Sequence, residues 1–309
     1  MRILFTFIIL FISTTAFSQN FEYVYRNKSD TTFNCYVIKA PDSRPIRGIV
    51  IRDYSVLPNF ITSSPFQFSE LCTQEGLMTL YTVSSNKFPE LFTSDSVMTI
   101  LDDIVSEVIE KYGIPKMNIF IGGISASGTR ALRYAQYCEQ GKSKNNIKIK
   151  GVFSVDSPLD LARFYESVFS HRNNFKDGML WEADLMKKVF GQLFSGPPDK
   201  YTNEYRTSSV FTHSDSLGGN SQYLRNVNLI MYHEPDIDWW LNERGASYID
   251  INSFDIVAFV LNLRSLGNNN VELVTTTNKG YDRNGKRNCH SWSIVDEHYL
   301  VEWIKKLIE

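Results

Sequence analysis

Ser125 is the residue of this sequence whose setting best suits covalent chemistry. It lies in the stretch Gly123–Gly128, directly after the apolar run Met117–Gly122. This order predicts a strand, a sharp turn with the serine at its apex, and then a helix. Such a turn lifts the hydroxyl clear of the backbone, where a neighbouring base can remove its proton. The pattern therefore predicts that Ser125 is a catalytic nucleophile.

The stretch departs in one position from the usual Gly-x-Ser-x-Gly pattern of a nucleophile turn, because its fifth residue is Ser127 and Gly128 comes next. Serine is small, so the departure is mild. One alternative is an ordinary strand-to-helix turn in which Ser125 caps the helix. A second alternative takes Ser127 as the nucleophile, but that residue would lie inside the first helical turn.

A serine nucleophile needs a base, usually histidine, and an acid that holds the histidine in one tautomer. His290 lies in the predicted loop 278–292, between the last strand and the last helix, and is the candidate base. His298 falls inside the predicted last helix. The neighbouring Cys289 suggests a Cys-His pair, but adjacent residues rarely point at each other.

The acid is expected after a strand that precedes His290. The segment 232–240 follows a predicted strand and contains Asp236, the favoured candidate, and Asp238, the alternative. Aspartate and proline also form ordinary turns, so an acidic loop alone is weak evidence. Trp239 and Trp240 follow directly and are placed to shape a substrate pocket.

The order Ser125, Asp236, His290, each after its own strand, resembles that of the α/β-hydrolase superfamily. The resemblance extends from about Thr31 to the C-terminus, and the closing stretch 288–297 looks like that of exported bacterial hydrolases.

The resemblance also implies an oxyanion hole. The backbone N–H of Ala126 supplies one donor, and a residue after the third strand, Tyr54 or Ser55, supplies the other. That loop lacks the His-Gly-Gly-Gly form of one lipase and esterase branch.

The implied activity is that of a secreted serine hydrolase that cleaves a carboxylic ester through an acyl-enzyme. A serine peptidase of aminopeptidase type on the same fold is one alternative. A non-catalytic binding protein of this fold is the other.

The elements that position these residues alternate between strand and helix. Apolar runs at Gly48–Ile51, Leu77–Val83, Ile149–Val155 and Val271–Thr275 suit buried strands. Stretches of helical spacing separate them, which predicts an α/β fold with a mostly parallel central sheet flanked by helices.

The segment at about 160–226 interrupts this rhythm, because it lacks a convincing strand and is rich in aromatic residues. We expect an insertion that forms a helical cap, since long structureless connections are uncommon in compact domains. The alternative is a pair of ordinary crossover helices with long loops. Its aromatic residues suit either a pocket or the packing of the cap on the core; they are Phe164, Tyr165, Phe169, Phe175 and Trp181.

Composition restricts the partners. The chain has 309 residues and a formal net charge of −2, without a block of like charge, so nucleic acid is not an expected partner. No metal-ligand spacing, Walker loop or dinucleotide fingerprint occurs, and no cofactor is expected. The expected partner is a small or polymer-derived ester substrate.

The first 18 residues predict a signal peptide. Arg2 precedes the apolar run 3–12, and Ala16–Ser18 offers small residues for cleavage after Ser18. The run is short for a membrane span. We therefore expect a secreted or periplasmic protein without a stable membrane anchor, whose residues 19–309 form one α/β-hydrolase domain.

Export makes one or two disulfides possible among the cysteines at 35, 72, 138 and 289. Four buried free thiols are an equally good interpretation.

Overall fold

The computed structural model describes residues 21–42, 45–58, 65–85 and 93–308. Its centre is an eight-stranded sheet in the order β1-β2-β4-β3-β5-β6-β7-β8. Among these strands β2 alone runs against the others. The strands are β1 Glu22–Tyr25, β2 Cys35–Lys39, β3 Gly48–Asp53, β4 Leu77–Val83, β5 Ile119–Ile124, β6 Ile149–Val155, β7 Asn228–His233 and β8 Val271–Thr275.

Helices cover both faces of the sheet, and two apolar clusters lie between the layers. The central strands β3 and β4 are buried along their whole length, which explains their continuous apolar runs. The helices are α1 Pro65–Gln74, α2 Asp95–Tyr112, α3 Ala126–Glu139, α4 Leu161–Glu166, α5 Asp177–Leu193, α6 Thr202–Ser208, α7 Ile237–Trp239, α8 Asn252–Ser265 and α9 Glu297–Ile308. The predicted fold class is confirmed.

Sequence patterns located the interior strands well. The predicted bounds of β4, β6 and β8 agree with the structure, and α2 begins after Ser94, whose hydroxyl accepts a hydrogen bond from the Val97 N–H. The edge strand β1 was not predicted, because its side chains are mostly exposed and give no apolar run.

Between β6 and β7, the described chain forms helices α4, α5 and α6 with short π- and 3-10-helical turns, and no strand. Most aromatic residues of this segment pack into a third cluster together with Trp239 and Trp240, whereas Trp181 is exposed. Tyr165 and Phe169 stack with ring centroids 4.0 Å apart, and Phe175 is buried. Most of the aromatic residues therefore pack the helices onto the domain.

The predicted signal peptide, residues 1–18, lies outside the described residues, and the proposed domain division stays a prediction. Within the described ranges, none of the helices has the length and apolar character that crossing a bilayer requires. The four cysteines are all buried and all free, so the disulfide alternative does not hold in this structure.

Candidate active site

Ser125 occupies the turn between β5 and α3, as its sequence pattern predicts. Its backbone has φ 55° and ψ −133°, a conformation that residues other than glycine rarely adopt. The Ser125 N–H donates to the carbonyl of Val155 at 2.9 Å, which ties the turn to the end of β6. The hydroxyl does not cap α3, so the helix-capping alternative does not describe this residue.

The strained turn explains which neighbours must be glycine. A side chain at Gly123 would come within 2.7 Å of the Cβ of Ser127, and one at Gly128 within 2.2 Å of the Ser157 hydroxyl. The fifth position of the pattern therefore tolerates Ser127, because Gly123 leaves room for it. The glycine that the pattern usually has at its fifth position is found one residue later, at Gly128, where the chain approaches Ser157 closely.

His290 is held by Asp156, which is neither of the two aspartates predicted from the acidic loop. Its Nδ1 lies 2.6 Å from Oδ2 of Asp156, and its backbone N–H donates to Oδ1 of Asn288 at 3.2 Å. Because a carboxylate only accepts, Nδ1 carries the proton and Nε2 of a neutral ring is left as the acceptor. This is the tautomer that a general base next to a serine requires.

Asp156 follows β6 directly and is 2 % exposed. Its backbone has φ 44°, its N–H donates to the carbonyl of Tyr232 at 2.9 Å, and its carbonyl accepts from Nδ2 of Asn252 at 2.9 Å. The chain beyond it is held by Asp255, whose carboxylate accepts from the N–H groups of Leu159 and Asp160. Asp156 therefore has a fixed position.

The prediction that Asp236 orients His290 does not agree with the structure. Asp236 accepts from the Trp239 N–H at 3.0 Å, which caps α7, and from the Arg287 guanidinium at 2.7 Å. These two bonds use both carboxylate oxygens. The alternative acid, Asp238, has an exposed side chain, and in the described part of the chain no hydrogen bond joins it to His290.

The acidic loop positions the histidine indirectly. Arg287 also forms an ion pair with Glu234, which is 2 % exposed, and donates to the Gly280 carbonyl at 2.7 Å. The Glu234 carboxylate further accepts from Oγ1 of Thr276 and from the N–H groups of Lys279 and Gly280. The loop that carries His290 is thus fastened to the end of β7, three residues before the histidine.

The surroundings of His290 favour its protonated form. Burial lowers the pKa of the imidazole, but the charge and hydrogen bond of Asp156 outweigh burial, and Glu182 adds to them. The net result is a pKa above the ordinary value of 6.5. A base with such a pKa suits proton transfer near neutral pH.

Ser125 and Asp156, the residue that contacts His290, follow the adjacent parallel strands β5 and β6. The carbonyl that accepts from the Ser125 N–H belongs to Val155, the residue before Asp156. Within the described residues, the hydrogen bonds of His290 are those with Asp156 and Asn288, and its ring forms none with the Ser125 hydroxyl. Catalytic hydrogen bonds are often long in unliganded enzymes and shorten when substrate binds.

The two predicted oxyanion-hole regions differ in what they offer. Ala126 is the first residue of α3, where backbone N–H groups have no partner inside the helix. The Tyr54 N–H is already used, since it donates to the Thr82 carbonyl at 2.8 Å as a continuation of the sheet. Tyr54 is therefore wrong as a backbone donor, and the exposed Ser55 stays the candidate.

A pocket of about 330 Å³ opens beside His290. Trp240 forms part of its wall, with its ring centroid 6.4 Å from that of His290, whereas Trp239 packs behind Trp240 at 5.0 Å. Residues of α4 and α5, including Phe164, also line this pocket, and Ser125 is not among the lining residues.

The position of Asp156 in the sequence is typical of an active-site residue, but one sequence alone does not distinguish it from the other carboxylates that follow strands. It is the first residue after the apolar run Ile149–Val155, and active sites in parallel sheets collect at such strand ends. The segment at 232–240 contains three carboxylates, and their number directed the prediction to the strand before it rather than to the carboxylate that contacts His290.

Comparison with known proteins shows the fold. No family model and no curated protein matches the chain. Among solved structures, an arylesterase superposes with a TM-score of 0.53 at 13% identity, covering 94% of this chain and 86% of the other. A structure from a study of two fungal esterases from Rhizomucor miehei superposes with a TM-score of 0.56 at 15% identity, covering 93% of this chain and 82% of the other.

Peptidases of longer chain also match. Dipeptidyl peptidase 4 from Porphyromonas gingivalis superposes with a TM-score of 0.53 at 16% identity over 94% of this chain, which spans 35% of that enzyme. The chain adopts the α/β-hydrolase fold.

Proposed function

We propose that this protein is a serine hydrolase that cleaves a carboxylic ester through an acyl-enzyme, with Ser125, His290 and Asp156 as its triad. The observation that carries the proposal is the 2.6 Å contact between His290 and Asp156, next to the strained turn of Ser125. A buried carboxylate on Nδ1 leaves Nε2 free to accept a proton, which is the function of the base in such a triad.

In the proposed reaction, Oγ of Ser125 attacks the ester carbonyl while Nε2 of His290 accepts the hydroxyl proton. Asp156 stabilises the imidazolium. The N–H groups of Ala126 and Ser55 donate to the oxyanion, and the alcohol leaves with the proton from His290. Water then hydrolyses the acyl-enzyme by the same steps.

We favour an ester over a peptide as the substrate, because the two esterase matches cover most of the matched chains, 86% of one and 82% of the other. The peptidase match leaves about two thirds of that enzyme without a counterpart here. Export to the periplasm or medium is part of the proposal and depends on the sequence of residues 1–18 alone.

The test is hydrolysis of p-nitrophenyl acetate by the wild type and by Ser125→Ala, with Ser127→Ala as the matched control. We expect Ser125→Ala to lower kcat by about 10⁴- to 10⁶-fold. Comparable turnover by wild type and Ser125→Ala would exclude Ser125 as the nucleophile. A clear preference for dipeptide anilides over esters would favour the aminopeptidase alternative.

A further inference from the structure

The pocket beside His290 has one carboxyl group without a structural partner. Glu182 lies on α5 and lines this pocket together with Trp240 and His290. Within the described residues, its carboxyl group forms no hydrogen bond and no ion pair. It is half-buried, and no hydrogen bond from the described residues compensates the desolvation of this carboxyl group.

Two other polar side chains of the pocket are committed to the fold. The Asp250 carboxylate contacts Nδ1 of His171 at 2.6 Å and accepts from the Ser247 hydroxyl and N–H. Asn252 donates to the Asp156 carbonyl. Glu182 therefore stands out as the group whose hydrogen-bonding capacity is left for a ligand.

A positively charged side chain, that of Arg244, lines the same pocket. The Arg244 guanidinium lies 4.8 Å from the ring of Trp239 and 3.8 Å from the Asp177 carboxylate, a long and partly exposed pair. A cationic ligand would meet Arg244 and an anionic one would meet Glu182. A neutral group that carries hydroxyls satisfies both, because a carboxylate accepts from a hydroxyl and a guanidinium donates to it.

The apolar walls suit a ring-shaped ligand. Trp181 lines the pocket mouth with 67% of its surface exposed, and Trp240 lines it beside the histidine. An indole that is largely exposed at a pocket mouth contributes little to the core and is available to a ligand. The volume of about 330 Å³ lies at the lower end of small-molecule sites.

We infer that this pocket binds a neutral, hydroxyl-bearing group of the substrate, of about the size of one sugar ring, and that Glu182 is the specificity residue that hydrogen-bonds its hydroxyl. The inference rests on the proposed ester hydrolase and names its substrate class. Burial raises the pKa of Glu182, opposed by His290. Either protonation state can bond a hydroxyl.

The test compares acetate esters that share one acyl group and differ in the alcohol. They are glucose acetylated on its primary hydroxyl, glycerol monoacetate, hexyl acetate and acetylcholine. We expect the wild type to prefer the acetylated glucose over hexyl acetate, as measured by kcat/KM for acetate release. Glu182→Leu, which removes the hydrogen-bonding group, should lower this preference by about 10- to 100-fold, the range for one hydrogen bond to a charged group. Glu182→Gln keeps an acceptor oxygen and should lower the preference less.

Glu166→Gln is the matched control, because Glu166 is exposed on neighbouring α4 and does not line the pocket. It should retain the wild-type preference within two-fold. An equal preference in wild type and both Glu182 variants would overturn the inference. Preference for acetylcholine, lost in Glu182→Gln, would show a cation site instead, and preference for glycerol monoacetate would exclude the ring.

Failure of the proposed activity is distinguished by a binding arm. If no ester is hydrolysed, quenching of tryptophan fluorescence by methyl glucoside is titrated in wild type and Glu182→Leu. Saturable quenching that weakens about ten-fold or more in the variant supports the inference without any turnover. No binding by the wild type overturns it.

Discussion

Replacement of Asp156 by asparagine tests the assignment of the triad acid most sharply. Asp156 is 2 % exposed and 2.6 Å from Nδ1 of His290, so water cannot take its place. An asparagine keeps the shape but can present its NH₂ group to Nδ1, which selects the wrong tautomer. The expected loss in kcat is about 10⁴-fold, and at about 1.36 kcal/mol per factor of ten this is about 5 kcal/mol of transition-state stabilisation.

Asp236→Asn is the paired variant. Its side chain is 30% exposed, and Arg287 keeps its ion pair with Glu234, so the histidine loop stays fastened. We expect a loss in kcat/KM of about three-fold or less, the usual effect of an exposed ion pair. The assay is p-nitrophenyl acetate hydrolysis, with circular dichroism as the folding control. A large loss in Asp236→Asn with near-normal Asp156→Asn would refute the reasoning.

Three further predictions concern pH, stability and thiols. The acid limb of kcat/KM should have its midpoint above pH 6.5, because activity needs neutral His290 and the pKa of His290 is raised. Glu182→Gln should move that midpoint to lower pH, because the variant removes a negative charge near His290. An unchanged midpoint in the pH-rate profile of Glu182→Gln would contradict the contribution of Glu182 to the pKa of His290. Arg130→Met should destabilise the fold by about 3–5 kcal/mol in urea unfolding, because it leaves the buried Asp53 carboxylate without its ion pair, and a change below about 1 kcal/mol would contradict this. The four buried cysteines of the native protein should react slowly with a disulfide reagent. After denaturation without reductant, we expect four thiols per chain to react, whereas two would indicate a disulfide.

The fold was predictable because its signals are local. Strand β4 is buried along its whole length and reads as one apolar run, and α2 has a capping serine, an apolar stripe and a terminal glycine in the left-handed conformation. The turn at Ser125 likewise depends on neighbouring residues. Edge strand β1 is exposed and leaves no such pattern.

The acid of the proposed triad depends on contacts between distant segments, and the sequence does not show these. Asp156 and His290 are 134 residues apart, and their contact follows from how the loop after β8 folds back over β6. Arg287 holds that loop in place, because its guanidinium forms ion pairs with Asp236 and Glu234, which therefore do not contact the histidine. Once Arg287 is paired there, Asp156 is the carboxylate left for His290.

The central claim, that Ser125 is an activated nucleophile, is tested most directly by labelling the folded protein with a fluorophosphonate and mapping the adduct by mass spectrometry. We predict a single adduct on Ser125, abolished by prior heat denaturation and strongly slowed in Asp156→Asn. An adduct on Ser127, or no adduct on folded protein, would contradict the account.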